Sequence, residues 1–203
     1  MSACKVPVPV EDGDGDRRWI SIHNRFLSET REKDADVIFI GDSIIQALQH
    51  TDVWNELFAP LHCLNFGIHR DKIENVLWRI ENGELDNVRP KAIVLHVGTN
   101  NHSNTPEEIR DGILELIYLI REKHPDVYIV VPTLLPRGPV SKPQLVPIDK
   151  GFIQPDGTIS HHDMHDYLLL TNAGSKKAFE PVHELLLQLL NEGETEKDLT
   201  PSE

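Results

Sequence analysis

Hydrophobic residues along the chain alternate between short continuous runs and longer stretches with helical spacing. The runs "DVIFIG", "LHCLNFGI", "KAIVLHVG" and "DVYIVV" have the length and composition of strands buried on both faces. Between them, "SIIQALQHTDVWNELF", "KIENVLWRIENGEL" and "TPEEIRDGILELIYLIREKHP" repeat apolar residues every three or four positions, which predicts helices. Strands that alternate with helices favour parallel pairing, so the pattern predicts an α/β three-layer sandwich with four to five strands.

Several of the predicted helices carry additional signals. Thr105 is a predicted N-cap, with Pro106 at the first helical position and Glu108 closing a capping box. In the closing helix "KKAFEPVHELLLQLL", Pro181 predicts a kink or a helix start. A further helix precedes the first strand, and one of its faces is apolar or aromatic: Trp19, Ile20, His23, Phe26 and Leu27.

The segment after the fourth strand is too short for a regular crossover. "RGPVSKPQLVPIDKGF" contains three prolines and has no helical period. A parallel crossover needs about a dozen residues and usually a helix. We therefore predict that the helix before the last strand is shortened or absent. Either "LVPID" returns to the sheet in extended form, or the fifth strand is poorly formed, and one face of the sheet is less covered.

Length and charge limit the classes of function. The 203 residues fit one domain, predicted at 16–190, between a flexible leader at 1–15 and an acidic disordered tail at 191–203. A net charge of −13 disfavours nucleic acids and anionic membranes as partners. Because no signal peptide or long apolar span is present, we predict a cytoplasmic protein. The two cysteines and the single histidine cluster, "SHHDMH", give no basis for predicting a metal or cofactor.

The loops that follow the first three strands are the candidate functional positions, because ligands bind beyond the carboxyl ends of parallel strands. Ser43 follows a buried strand and opens a helix, a position that exposes a nucleophile near free backbone N–H groups. Asn100, in "VGTNN", has an amide that can donate to the same oxyanion. The simpler alternatives are an N-cap for Ser43 and a turn residue for Asn100.

The blocks "FIGDS", "NFGI", "VGTNN" and "ISHHDMHDYL" resemble those of the SGNH or GDSL hydrolases. From Trp19 to about Leu190, including "WNELFAPLHCLNFGI", "VGTNNH" and "LLPRG", the chain most resembles the catalytic α subunits of intracellular type Ib platelet-activating factor acetylhydrolase. The resemblance implies a flavodoxin-like fold and a serine esterase that removes the acetyl group from the glycerol 2-position of a phospholipid. It also implies homodimers that associate with a WD-repeat regulatory subunit.

The resemblance assigns roles residue by residue. The nucleophile, which also contributes to the oxyanion hole, falls on Ser43, the oxyanion amide on Asn100 and the triad aspartate on Asp166. However, the position of the catalytic histidine is occupied by Leu169, and that of the oxyanion-hole glycine by Arg70, since "FGIHRD" stands where the family has "FGIGGD". The family also has a helix and a strand after "LLPRG" that are mostly missing here.

These replacements predict a severe loss of catalysis. Serine needs a base to remove its proton, and leucine cannot serve. In a serine protease, loss of the base alone costs about 10⁶ in turnover, or roughly 8 kcal/mol. At Arg70 a side chain projects where backbone must approach substrate, and a positive φ there would add strain of about 1–2 kcal/mol. The sequence therefore predicts that the chain is not an enzyme but an inactive homologue that acts through protein or ligand binding.

Two alternatives involve the loop beside the pocket. The histidines near Asp166, at positions 161, 162 and 165, are poor substitutes for the base, because the family retains the "HHD" pair without using it. His69 is a better candidate, and a Ser43–His69 pair would make the chain a weak serine esterase. Alternatively, Arg70 and His69 form an anion site for a phosphate or carboxylate.

Overall fold

A computed structural model describes residues 3–135, 152–155, 158–166 and 168–198. Its centre is a four-stranded parallel sheet in the order β2-β1-β3-β4. The strands are β1 (Val37–Gly41), β2 (Cys63–Gly67), β3 (Ala92–His96) and β4 (Tyr128–Val130). Every residue of β1 and β3 is buried, which explains why these strands are continuous apolar runs rather than alternating ones.

Helices cover both faces of the sheet. On one face lie α1 (Arg18–Glu32), α3 (Ile73–Arg79) and α4 (Pro106–Lys123). The other face is covered by the short α2 (Ser43–Leu48) and by α5 (Asn172–Asp198). Together with the solved structures described below, this arrangement confirms the predicted α/β sandwich, and four strands lie within the predicted range.

Side chains that alternate along each strand enter two separate cores. The core beneath α1, α3 and α4 includes the apolar face predicted for α3 and residues of β1, β2 and β3: Phe26, Ile38, Ile40, Phe66, Ile73, Val76, Leu77, Ile80, Ile93, Leu95, Leu116 and Ile120. The core beneath α2 and α5 includes Val37, Phe39, Ile45, Leu48, Trp54, Phe58, Val94, Phe152, Phe179, Val182 and Leu186.

The start of α4 follows the predicted capping box. Thr105 Oγ1 accepts from the backbone N–H of Glu108 at 3.2 Å, and Glu108 Oε2 accepts from the backbone N–H of Thr105 at 2.9 Å. Pro106 occupies the first turn. The loop after β3 is thereby joined to a helix that starts at a defined residue.

The helix predicted from Ser43 to Phe58 is divided in two, which corrects the sequence interpretation. Helix α2 ends at Leu48, and a separate π-helical turn covers Trp54–Phe58. Thr51 lies at the break, where its hydroxyl donates to the Leu48 carbonyl at 2.7 Å and accepts from the Trp54 N–H at 3.3 Å. These local bonds replace helical ones, as threonine side chains often do.

The ends of the chain are partly packed on the domain. Cys4, within the predicted leader, is fully buried against α3 and α4, and Val8 donates to the Glu74 carbonyl at 3.0 Å. Helix α5 continues through Pro181 and into the predicted tail, as far as Asp198. The predicted shortened segment at 136–150 lies outside the described residues. Within the described ranges, no helix combines the length and apolar character needed to cross a bilayer.

Candidate active site

Three loops begin at the same level of the sheet. Gly41, the last residue of β1, is in register with Gly67 at the end of β2 and with His96 at the end of β3. The residues that follow these strand ends therefore meet at one edge. This arrangement brings together the predicted positions Ser43, His69 to Arg70, and Asn100.

Ser43 is the first residue of α2 and is 4% exposed. The N-cap is the preceding residue, Asp42, whose Oδ1 accepts from the Ile44 N–H at 2.9 Å. The alternative role for Ser43 as a helix cap is therefore taken by Asp42. The Ser43 hydroxyl remains available for contacts with the neighbouring loop.

The Ser43 hydroxyl has two partners in the loop after β2. Its Oγ lies 3.1 Å from Nδ1 of His69, and it accepts a hydrogen bond from the backbone N–H of Arg70 at 2.9 Å. Because the Arg70 N–H is a donor, the hydroxyl proton is directed at Nδ1 when His69 carries its own proton on Nε2. The geometry is that of a serine paired with a base.

The electrostatic surroundings favour neutral His69. Partial burial lowers the pKa of His69 below its usual 6.5, and the positive charges of Arg70 and Arg18 lower it further. At neutral pH the imidazole is therefore mostly uncharged. An uncharged imidazole can accept a proton from a hydroxyl, whereas imidazolium cannot.

Arg70 has the conformation that would suit a glycine. Its φ is 64°, in the left-handed region, where a Cβ costs about 1–2 kcal/mol. The side chain is exposed, while the backbone N–H faces Ser43. The replacement thus retains the backbone donor of this loop, at the expense of strain.

Asn100 is buried, and its Nδ2 donates to the backbone carbonyl of Asp71 at 2.9 Å. This bond ties the loop after β3 to the loop that contains His69 and Arg70. The neighbouring Asn101 strengthens the link, because its Oδ1 accepts from the Ile73 N–H at 3.0 Å. The interpretation of Asn100 as an isolated turn residue does not account for these contacts between loops.

Asp166 makes hydrogen bonds within its own loop. Its Oδ1 accepts from the backbone N–H groups of Leu168 at 3.2 Å and Leu169 at 2.7 Å. Nearby, His162 Nδ1 lies 3.4 Å from Oδ1 of Asp163, so this histidine pairs with a carboxylate other than Asp166. None of these contacts pairs Asp166 with a histidine.

The sequence interpretation missed Asp71 and Arg79. Arg79 is fully buried, and its Nε donates to Asp71 Oδ2 at 2.9 Å, while Nη1 contacts Glu84. Burial raises the pKa of Asp71 to about 6 and the pKa of Glu84 to about 7. The available signal was a charged residue within the apolar stretch "IENVLWRI".

The described part of the chain contains no group of three or more histidine, cysteine or acidic side chains placed to hold a metal ion.

The chain is similar to known hydrolases over most of its length. Residues 39–154 match the GDSL-like Lipase/Acylhydrolase family. A Drosophila melanogaster protein named platelet-activating factor acetylhydrolase IB subunit beta homolog is 55% identical, with 100% of both chains covered. The human platelet-activating factor acetylhydrolase IB subunit alpha2 is 46% identical over 96% of this chain and 95% of its own length. These matches confirm the resemblance to the GDSL hydrolases and the acetylhydrolase subunits.

Solved structures with low sequence identity share the fold. A structure from Streptococcus pneumonia, provisionally described as a platelet activating factor, has a TM-score of 0.64 at 16% identity and covers 81% of this chain and 92% of its own. A provisionally assigned acylhydrolase from Bacteroides fragilis has a TM-score of 0.62 at 14% identity, with 91% and 99% covered.

The prediction that the chain is not an enzyme is wrong. The matched family is one of lipases and acylhydrolases, and the relatives are named as acetylhydrolases, which points to an enzyme. The prediction relied on two replacements together, Leu169 for the catalytic histidine and Arg70 for the oxyanion-hole glycine. His69, the alternative base considered in the sequence analysis, lies 3.1 Å from Ser43 Oγ through its Nδ1.

Proposed function

This chain belongs to the GDSL-like lipase/acylhydrolase family, and we propose that it is a serine esterase with Ser43 as nucleophile and His69 as general base. The observation that carries the proposal is the 3.1 Å separation between Ser43 Oγ and His69 Nδ1. A base within about 2.6–3.2 Å of a hydroxyl can accept its proton as the oxygen attacks. This step does not require a base at position 169, where the family resemblance places the catalytic histidine and this chain has leucine.

Proton transfer would proceed along a short path. As Ser43 Oγ attacks an ester carbonyl, its proton passes to Nδ1 of neutral His69. The resulting imidazolium can then protonate the departing alkoxide when the acyl-enzyme forms. This transfer is proposed without Asp166, whose Oδ1 accepts from backbone N–H groups of its own loop.

Three donors are proposed for the oxyanion. The Arg70 N–H, now 2.9 Å from Ser43 Oγ, is close to the position where the carbonyl oxygen becomes charged. Asn100 uses Nδ2 to donate to Asp71, and an amide group carries two N–H bonds. The second of these would be the side-chain donor, alongside the backbone N–H of Ser43 itself.

The proposed substrates are acetyl esters that carry an anionic group, such as the phosphate of a phospholipid. The names of the relatives suggest the acetyl group. Arg70 is exposed beside the nucleophile, and Arg18 is close enough to influence His69. In a protein with a net charge of −13, this local positive charge favours an anion at the site. Arg70 would supply the positive charge of the predicted anion site, while neutral His69, the other predicted member, acts as the base.

We also propose that the chain is a subunit of an assembly, because the relatives are named as subunits. A homodimer and a WD-repeat partner are the specific forms suggested by the family resemblance. Light scattering of the purified chain, alone and mixed with a WD-repeat protein, would distinguish monomer, dimer and complex. Cytoplasmic location stays a prediction.

The experiment that tests the esterase proposal is incubation with a fluorophosphonate, followed by intact-mass spectrometry. We expect one adduct at Ser43, absent from Ser43→Ala. His69→Ala should slow labelling by about 10²–10⁴-fold, the usual contribution of a general base. His50→Ala, which alters an exposed histidine elsewhere, is the matched control and should label at the wild-type rate.

The pH dependence provides an independent check. Since the neutral imidazole is the active form, the labelling rate should rise with pH and reach a plateau with a midpoint below 6.5. Hydrolysis of a 2-acetyl phospholipid should follow the same curve. An unlabelled but folded wild-type protein, or a His69→Ala variant that labels normally, would reject the proposal.

A further inference from the structure

A buried ion cluster lies directly behind the proposed active site. Its centre is Arg79, and its two carboxylates belong to Asp71 and Glu84; all three side chains are fully buried. Trp19 Nε1 adds a hydrogen bond to Asp71 Oδ1 at 2.7 Å. Burying charges is expensive, and such a cluster is retained only when its geometry and hydrogen bonding are good.

The guanidinium also contacts the strand ends that precede the site. Arg79 Nη2 donates to the Phe66 carbonyl at 3.1 Å and to the Gly41 carbonyl at 3.3 Å. Gly41 is two residues before Ser43, and Phe66 belongs to the strand that leads to His69. One cation thereby fixes the ends of β1 and β2 relative to each other.

Asp71 connects this cluster to the reacting groups. Its backbone N–H donates to the Ile68 carbonyl at 3.2 Å, which closes the turn that contains His69 and Arg70. Its own carbonyl accepts from Asn100 Nδ2 at 2.9 Å. The ion cluster fixes the side chain of Asp71. Through its N–H, the Asp71 backbone closes the turn that contains His69 and Arg70, here called the base loop, and through its carbonyl oxygen it binds the amide of Asn100.

We propose that Asp71 is the positioning residue of this site, which holds the His69–Arg70 turn and Asn100 in register with Ser43 through its bonds to Arg79 and Trp19. This inference rests on the proposed esterase function. Asp71 does not touch the reacting atoms. It acts through His69, Arg70 and Asn100, whose placement relative to Ser43 determines the rate.

Glu84 provides a matched control within the same cluster. It is as buried as Asp71 and also binds Arg79, with Oε2 at 2.6 Å from Nη1. It lies at the far end of the turn that follows α3. Asp71→Asn and Glu84→Gln each replace one charged partner of Arg79 with a neutral side chain of similar size. Only the first changes the residue between the base loop and Asn100.

The test compares these two variants by three readouts on the full chain: thermal melting, the rate of fluorophosphonate labelling at Ser43, and the imidazole pKa of His69 measured by NMR. Both variants should melt at a lower temperature. Asp71→Asn should slow labelling by about ten- to a hundredfold, as expected for a small misplacement of reacting groups, and should shift the His69 titration. Glu84→Gln should leave both quantities near wild type.

If the ion cluster only stabilises the fold and Asp71 has no positioning role, the two variants should behave differently from this expectation. If the two variants lose labelling to the same extent, in proportion to their melting temperatures, or if Asp71→Asn labels and titrates normally, the positioning role is rejected. Should Asp71→Asn fail to fold, Trp19→Phe removes the bond to Asp71 Oδ1, although it also alters the ring contacts with His23 and Trp78, and it is expected to shift the His69 titration. The NMR comparison needs no activity, so failure of wild-type labelling rejects the esterase without deciding the positioning role.

Discussion

At the scale of single residues, Arg70 combines a useful backbone with an unfavourable side chain. Its N–H donates to Ser43, whereas its φ of 64° places a Cβ in the left-handed region. Its charge also lowers the pKa of His69. Replacing Arg70 with glycine should therefore change two quantities for different reasons. The free energy of unfolding should change because the strain at positive φ is removed, and the pH dependence of Ser43 labelling should change because the charge is lost.

Arg70→Gly should raise the free energy of unfolding by about 1 kcal/mol, because the strain of a Cβ at positive φ exceeds the entropy that glycine adds to the unfolded chain. Loss of the positive charge should move the pH midpoint of Ser43 labelling upward. Urea unfolding and labelling against pH measure the two changes.

The matched control is His62→Gly, since His62 has a similar φ of 51° in a different loop. It should gain stability in the same way and leave the labelling curve unchanged. An Arg70→Gly variant whose midpoint moves downward would contradict the assigned influence of the Arg70 charge on His69.

The candidate residues were partly predictable from the sequence. Ser43, His69 and Asn100 follow strand ends, and parallel strands bring their carboxyl ends together, so these positions could be named. The direct Ser43–His69 contact depends on the turn geometry around Arg70, which a pattern of residue types does not specify. Asp71 and Arg79 were missed because charged residues are usually solvated, and their burial depends on partners distant in sequence.

At the scale of elements, helix α2 packs very closely on strand β2. A Cβ added at Gly67 would lie 2.2 Å from the backbone nitrogen of Gln46 and 2.8 Å from its Cα. Both contacts are with backbone atoms, which a rotamer change cannot move. The distance between this helix and strand determines where Ser43 stands relative to His69.

Gly67→Ala should therefore destabilise the fold by about 3 kcal/mol or more, at the upper end of overpacking effects. Any folded fraction should also label slowly at Ser43, since α2 must shift away from the base loop. Chemical denaturation and labelling of the folded fraction are the measurements.

Gly13→Ala serves as the control, because a Cβ added there has no neighbour within 4 Å. Its denaturation midpoint should stay close to that of wild type. Wild-type stability in Gly67→Ala would show that α2 and β2 are farther apart than described.

The elements themselves were predictable where local signals agreed with burial. The strands are continuous apolar runs, and α4 begins at the capping box of Thr105 and Glu108. The break between α2 and the Trp54–Phe58 turn was not foreseen, because the apolar spacing continues across it. There the side-chain bonds of Thr51 override the periodicity.

At the scale of the whole molecule, buried titratable groups have opposing effects on stability. Burial lowers the pKa of His23 and of His96 to about 4. The unfolded chain would bind protons at these histidines below pH 6.5 while the folded chain would not, so they reduce stability as the pH falls. Asp71 and Glu84 have raised pKa values, so their contribution to stability instead increases as the pH falls from about 7 toward 4.

His96→Leu isolates one of these effects. His96 lines a cavity of about 180 Å³ together with Thr133, Phe179 and Val182. Between pH 7 and pH 4, wild type should lose up to about 3 kcal/mol of stability relative to this variant, since a shift of one pKa unit is worth 1.36 kcal/mol. Urea denaturation at several pH values measures the difference.

Leu95→Ala, which alters a buried apolar neighbour, is the control. Its difference from wild type should be large but independent of pH, because no titrating group is removed. A pH-independent difference for His96→Leu would mean that His96 is protonated to the same extent in the folded and unfolded chains.

The shared register of Gly41, Gly67 and His96 affects how this protein can change over evolutionary time. Three strands of the sheet present the nucleophile, the proposed base and the amide, whereas the segment that the sequence predicts to be shortened follows β4, at the sheet edge. The pairing of β1, β2 and β3 involves only residues 37–96, so a loss of residues after β4 in the sequence removes none of these pairs. Changes in chain length after β4 can therefore accumulate without altering the register that brings Ser43, His69 and Asn100 together, provided that Phe179, Val182 and Leu186 of α5 still fill the core beneath α2.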